Sequence, residues 1–211
     1  MNNETTIETK TKSVKPRGRP LAFDQDRALE KALFVFWSRG YEGASMAELV
    51  AALGINKPSI YATFGNKEAL FQKVLEKYIS GPAGFITEAL NETTAIQVAE
   101  RFLTGAVEFF CDKSHPSGCM IVQGALTCGQ GSEMIQKKLI TLRLTLSEKF
   151  KQRFDLAKLQ GDLPPNAESS TLAKYLTTLH QGLSVQATSG TGKLELLAVV
   201  KLALNNWPST N

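Results

Sequence analysis

From residue 24 onward, apolar side chains recur every three or four positions, the period of a helix with one buried face. Asp24 caps a first helix in which Ala28, Leu29, Ala32, Leu33, Phe36 and Trp37 form the stripe, and Gly40 ends it. Ser45, with Glu48 three residues on, has the spacing of a capping box and opens a second, short helix. Met46, Leu49, Val50 and Leu53 are its apolar side, and Gly54 stops it. Asn56 caps a third helix with Pro58 in its first turn, where a missing N–H leaves no hydrogen bond unmade. Ile60 and Phe64 point inward, and Gly65 closes it. Asn66 caps a fourth helix, whose face of Leu70, Phe71, Val74, Leu75 and Tyr78 runs to the break at Gly81-Pro82.

The rest of the chain keeps the helical period, over roughly 95–111, 118–129, 132–160, 166–187 and 192–206, separated by Gly- and Pro-containing turns. There is no internal repeat and no strand-like alternation in the first eighty residues. The fold class predicted is all-α: an N-terminal three-helix head with a helix-turn-helix, a linking fourth helix and a C-terminal helical body. The expected division is a disordered arm over 1–20, a three-helix domain over 21–66, a linking helix over 67–81 and an all-helical domain over 82–211.

Composition narrows the class. At 211 residues and 43% hydrophobic content the chain can bury a sizeable core. It has neither a run of about 18 uncharged apolar residues nor a signal-peptide pattern near its start, so a cytoplasmic, membrane-free protein is expected. Three cysteines do not make a disulfide framework. The net charge of +4 is mild but uneven: Lys10, Lys12, Lys15, Arg17 and Arg19 crowd one acid-free stretch. A basic arm on a near-neutral body points to a polyanion, although a tail that merely aids solubility has the same composition.

The second and third helices, joined at Gly54, form a helix-turn-helix, a motif whose second helix enters a DNA major groove. The segment Asn56 to Phe64 rises about 13 Å, close to the roughly 12 Å width of that groove. Its outward face carries Lys57, Pro58, Ser59, Tyr61 and Thr63. Lys57 and Ser59, at the leading end, are candidates for base edges, and the Tyr61 hydroxyl for a phosphate oxygen. Ser45 with the start of the second helix, and Lys67 with the start of the fourth, are candidates for two further phosphates. An ordinary helical corner with Tyr61 half buried is the competing reading.

The run from Gly40 to Leu70, with its Gly-aromatic lead-in, its Tyr61-x-x-Phe64 helix end and its Asn66-Lys-Glu-x-Leu70 helix start, resembles the DNA-binding head of the tetracycline-repressor (TetR) family. The likeness covers about residues 24–80, with Val50 where the family usually has alanine and Thr63 where a histidine is common. It implies that Ser45, Lys57, Ser59, Tyr61 and Lys67 fall at DNA-contacting positions. It further implies that 21–66 is a helix-turn-helix DNA-binding domain and 82–211 a ligand-binding, regulatory and dimerisation body, in a homodimeric repressor released from a palindromic operator by a small-molecule inducer held in that body. The last two long helices would pair with their mates through Leu172, Tyr175, Leu176, Leu179 and Leu183, and through Leu194, Leu197, Ala198, Lys201, Leu202 and Trp207. A buried intramolecular hairpin explains the same stripes. Lys15-Pro-Arg-Gly-Arg-Pro20 resembles an AT-hook core; Arg17 and Arg19 serve either a minor groove or a plainer phosphate-binding arm.

In the body, Phe102, Val107, Phe110, Cys119, Met120, Gln123, Tyr175 and Gln181 are the candidate inducer-pocket residues, a mixture that suits a neutral lipophilic ligand. Cys119, at the start of a helix, is expected to have a lowered pKa and is an alternative redox or electrophile trigger, beside a buried structural thiol. A metal site of Cys111, His115, Cys119 and Cys128 is disfavoured, because the last two cysteines face opposite sides of one predicted helix. Thr188 to Lys193 departs from a phosphate loop at both ends, so it is a turn. No cofactor is implied, and no catalytic constellation assembles, so an enzyme is not expected. The alternative function is an all-α small-molecule-binding or interaction module without specific DNA binding.

Overall fold

The computed structural model describes residues 24–126 and 132–208. Among these residues there are ten α-helices and no strand. Asp24 accepts hydrogen bonds from the backbone N–H groups of Asp26 and Arg27 (3.0 and 3.2 Å), satisfying donors that have no acceptor within the helix. The first helix, α1 (Gln25–Gly43), buries Ala28, Ala32, Leu33, Phe36 and Trp37. Gly40, at φ 70° and ψ 175°, breaks its path at the residue where the sequence predicts a stop.

Helix α2 (Met46–Leu53) carries the expected capping box: the Glu48 N–H donates to Ser45 Oγ at 3.1 Å, and the Ser45 N–H donates back to Glu48 Oε2 at 3.0 Å. Leu49 and Leu53 are buried, while Met46 and Val50 pack half-buried at the rim. Gly54 takes the left-handed conformation (φ 73°), which turns the chain sharply into α3 (Lys57–Phe64). Ile60 and Phe64 enter the core, and Asn56 Oδ1 accepts from the Ser59 N–H at 2.9 Å. Asn66 repeats that cap on Ala69 (2.8 Å) at the start of α4 (Lys67–Ser80), which buries all five residues of its expected face.

A 3₁₀ turn over Pro82–Gly84 and a short helix, α5 (Phe85–Leu90), fill a stretch for which the sequence pattern gave no element. The body continues with α6 (Ala95–Phe110), α7 (Met120–Leu126), α8 (Glu133–Leu159), α9 (Ser169–Thr188) and α10 (Lys193–Asn205). α6 packs on α5, α9 and α10, and α8 packs on α7 and α9. No helix of the described residues is long and apolar enough to cross a membrane.

Head and body meet through aromatic side chains. Trp37 of α1 packs edge-on to Tyr78 of α4 (5.0 Å), stacks on His115 (4.5 Å) and lies 5.3 Å from Phe109 of α6. Its indole N–H donates to the carbonyl of Gly118 at 3.1 Å. Trp37 thus bridges α4 and the loop before α7.

The two last helices have two distinct apolar faces. α10 covers its own body with Leu196, Val200 and Ala203, followed by Trp207 packed against Phe154. Leu194, Ala198, Lys201 and Leu202 stay outside, with Leu194 82% and Leu202 65% exposed. Most of the α10 stripe predicted for pairing is thus not the face that closes the hairpin; Trp207, buried, and Leu197, half-buried against the core, are the exceptions. α9 turns Ala173, Leu176, Thr177, His180, Leu183 and Ser184 inward, whereas Leu172 and Leu179 are half-buried and Tyr175 is exposed.

Candidate nucleic-acid interface and body cavity

The short α3 stands out from the head with Lys57, Pro58, Ser59 and Tyr61 exposed and Thr63 half-buried. Its eight residues rise about 12 Å, the width of a major groove. Lys57 Nζ lies 5.8 Å from the centroid of the Tyr61 ring, one turn on, so the two share a face. With Ser59 spent on neither cap nor core, its hydroxyl is open to solvent on the leading turn.

Around this helix the positive groups are held, not loose. Lys67, in the first turn of α4, lays its ammonium 4.5 Å from the centroid of Tyr41. Burial lowers its pKa below the ordinary value, and the neighbouring Glu42 and Glu48 oppose that shift. Ser45 is less free than the sequence suggests, because its hydroxyl also donates to Glu48 Oε2 at 3.0 Å. Hydrogen bonds from Ser45 lower the Glu48 pKa, with Arg39 and Lys67 adding to the effect. Arg39 Nε sits 3.5 Å from Glu48 Oε1 and so joins this edge of the head; sequence reading missed it because an arginine near the end of α1 carries no motif of its own. Arg17 and Arg19 lie outside the described residues.

The body holds a cavity of about 140 Å³. Tyr78 and Ile79 of α4 form one wall, with Phe85, Ile86 and Thr87 of α5 beside them. Phe110, Cys119, Ile121 and Val122 form the inner end, α9 contributes Thr177, His180 and Gln181, and one face of α8 runs from Leu142 to Lys149. Of the sequence candidates, Phe110, Cys119 and Gln181 line this space. Phe102, Val107 and Met120 are buried away from it, and the Gln123 amide is turned to the carbonyl of Ser117 (2.9 Å). Tyr175 is 40% exposed on the far side of α9, which corrects its placement in an interior pocket.

Cys119 also departs from expectation. Its pKa is raised, because desolvation outweighs the Tyr78 hydroxyl that donates to its sulfur (3.4 Å) and the backbone N–H groups of Val122 and Ile121 at the start of α7. The helix start acts in the expected direction, but burial is stronger. Burial likewise raises Cys111. Among the described residues no three His, Cys, Asp or Glu side chains gather as a metal site, and Cys128 lies outside them.

His180 is buried between Phe102 (4.9 Å, stacked) and Phe110 (5.1 Å, edge-on). Desolvation alone lowers its pKa from 6.5 to about 4, so it is neutral at pH 7. The unfolded chain therefore binds the proton that the folded one refuses. Stability is complete above about pH 6.5 and falls as pH drops through the window toward about 4. At about 1.4 kcal/mol per pH unit the loss is bounded at about 3 kcal/mol. Urea unfolding at pH 7 and pH 4.5 is expected to show this fall in the wild type and a shallower one in His180→Phe.

A family profile described as "Bacterial regulatory proteins, tetR family" matches residues 28–74. The HTH-type transcriptional repressor ComR of Escherichia coli K12 is 34% identical over 92% of this chain and 93% of its own length. The chain belongs to the TetR family. The repressor BdcR of the same organism is 27% identical over 92% of this chain and 94% of its own. Among solved structures, a cysteine-substituted TetR-family regulator CifR, in complex with 26-base-pair double-stranded operator DNA, is 39% identical, with a TM-score of 0.86, covering 90% of this chain and all of that one. As in other TetR-family chains, the all-α fold joins an N-terminal helix-turn-helix to a helical body.

Proposed function

We propose that this TetR-family chain is a dimeric, sequence-specific DNA-binding repressor, released from its operator by a small molecule in the body cavity. The observation that carries the reading is α3: a groove-length helix anchored by Ile60 and Phe64, whose exposed face is polar and basic. Lys57 and Ser59 are assigned to base edges, with Pro58 and Thr63 packing beside them. Tyr61, Lys67 and the N–H groups opening α2 behind Ser45 are assigned to phosphates, and Arg17 and Arg19 to the arm's contact with the duplex. Residues 21–66 then act as the DNA-binding domain, 67–81 as the link and 82–211 as the regulatory domain, in a cytoplasmic, non-enzymatic protein. The naming of ComR and BdcR as repressors and the operator bound by CifR support this reading.

The cavity reaches the head by a short path. Tyr78 lines it from α4 and also packs on Trp37 of α1. A ligand that fits only one placement of α4 biases the separation of the two heads and lowers operator affinity, a population shift. A thiol trigger at Cys119 is the weaker mechanism, because burial raises that thiol's pKa.

Pairing of two copies uses the uncovered face of α10. Leu202→Glu is expected to convert the dimer to a monomer in sedimentation and to leave the helical circular-dichroism signal unchanged, since Leu202 is 65% exposed within one copy. The function itself is tested by capturing fragmented genomic DNA on the purified protein. Discrete fragments sharing a near-palindrome are expected, and recovery without sequence preference contradicts the proposal.

A further inference from the structure

Among the described residues, the charges lining the cavity are all of one sign. Arg143 and Lys149 of α8 line it, and among the described residues no aspartate or glutamate does. Neither cation has an ion-pair partner among the described residues. Lys149 and Thr145 are exposed and so mark the open side, whereas the Arg143 charge is close enough to the interior to act on Cys119. Deeper in, the His180 imidazole contacts two rings but makes no hydrogen bond to another described residue, although it is 96% buried, the complement of its 4% exposure. An unpaired, partly desolvated cation and an unpartnered buried imidazole both lack something that a ligand could supply.

Resting on the reading of this cavity as the effector site, we propose that its ligand is a small amphipathic monocarboxylate. Its apolar part, about the size of one aromatic ring, sits against Phe110 and Ile121, and its carboxylate is held by Arg143 and Lys149. Size argues for a single ring: a cavity of about 150 Å³ with Leu, Ile and Phe walls accepts benzene, and this one measures about 140 Å³. Charge argues against the neutral lipophile that the apolar and amide residues alone suggested. A neutral ligand leaves the two cations unanswered, and a bare inorganic anion leaves the apolar walls unused.

The test compares benzoate with benzamide, nearly equal in shape, by calorimetry on the intact protein. Benzoate is expected to bind about tenfold more tightly, the effect of one charge-assisted contact. In the Arg143→Gln/Lys149→Gln variant benzoate should fall to the benzamide level while benzamide stays unchanged. Equal affinities in the wild type, a preference that survives in the variant, or no binding by either probe each overturns the proposal. Ile121→Phe, which fills the cavity, should abolish binding of both probes; continued binding places them elsewhere and overturns it too. Operator release, read separately by gel shift, distinguishes the two layers: charge-dependent binding that leaves the DNA complex intact supports the ligand class and contradicts the regulatory role of the cavity.

Discussion

Tyr61→Ala combined with Lys67→Ala is expected to weaken operator binding about ten-thousandfold or more, at about 0.1 M salt, without unfolding the protein. Each removed contact to a phosphate is worth about 1.5–3 kcal/mol when one partner is charged, and a dimer loses every contact twice. Tyr61 is exposed, so its removal opens no void in the core. Lys67 rests on the Tyr41 ring, both half-buried, a contact worth about 1–2 kcal/mol, so the cost to folding is modest. Loss of two ammonium groups per dimer should also flatten the slope of log affinity against log salt by about 2. Lys57→Ala should behave differently, relaxing base preference at one position of each half-site while changing affinity for a random duplex little. A gel-shift matrix of these variants against single-base operator changes separates the roles. An unchanged base profile for Lys57→Ala would remove that residue from the reading set.

Gly118→Ala is expected to destabilise the fold by about 3 kcal/mol, lowering the melting temperature by about 10 °C. Gly118 has φ +79°, which a side chain rarely adopts, and a Cβ there would lie 2.5 Å from Gln123 Nε2, 2.7 Å from Thr188 Cγ2 and 2.9 Å from the Ser184 carbonyl oxygen. The Gln123 and Thr188 side chains could shift, but the Ser184 carbonyl is backbone of α9 and cannot yield without moving that helix. The residue is also a junction. Its N–H donates to the Phe110 carbonyl (3.2 Å), its carbonyl accepts from Trp37, and the next N–H, that of Cys119, donates to Ser184 Oγ at 2.8 Å. Head, cavity and α9 are pinned together at this point, so the substitution should also disturb effector response. Gly84→Ala is the control: nothing lies within 4 Å of its Cβ position, and its melting temperature should move by no more than about 2 °C. Scanning calorimetry of the two variants checks the contrast.

The head was legible in the sequence because each of its boundaries is written in a side chain. Asp24, Ser45, Asn56 and Asn66 cap the four helix starts, and Gly54 takes the left-handed turn between the two helices of the motif. α5 was not legible for the opposite reason: Gly84 supplies no capping side chain, and six residues are too few to display a period. α7 begins at Met120, two residues later than the pattern suggests, because Gly118 is held in a non-helical conformation by its three neighbours.

The cavity was harder still. Helical period reports that a face is buried but not whether it meets side chains or a hole, so Phe102 and Val107 were indistinguishable from Phe110. Nothing in the sequence singles out Arg143 and Lys149, since charged residues on a long amphipathic helix normally lie on its solvated face. Only their position opposite His180 and Tyr78, set by the packing of α8 on α7 and α9, gives them a role at the cavity. For α10 the sequence left a buried hairpin and a paired interface equally open. The separate inner face of Leu196, Val200 and Ala203 shows that the hairpin closes without Leu194 and Leu202.

The central claim is that two copies of α3 read one site on duplex DNA. Its most direct test is a binding titration of the intact protein on the near-palindromic duplex recovered from genomic capture, against the same duplex with one half-site scrambled, across a series of salt concentrations. Tight binding to the intact site is expected, with at least about a thousandfold weaker binding to the scrambled one and a steep linear fall of log affinity with log salt for both. Equal affinity for the two duplexes at every salt concentration would contradict it.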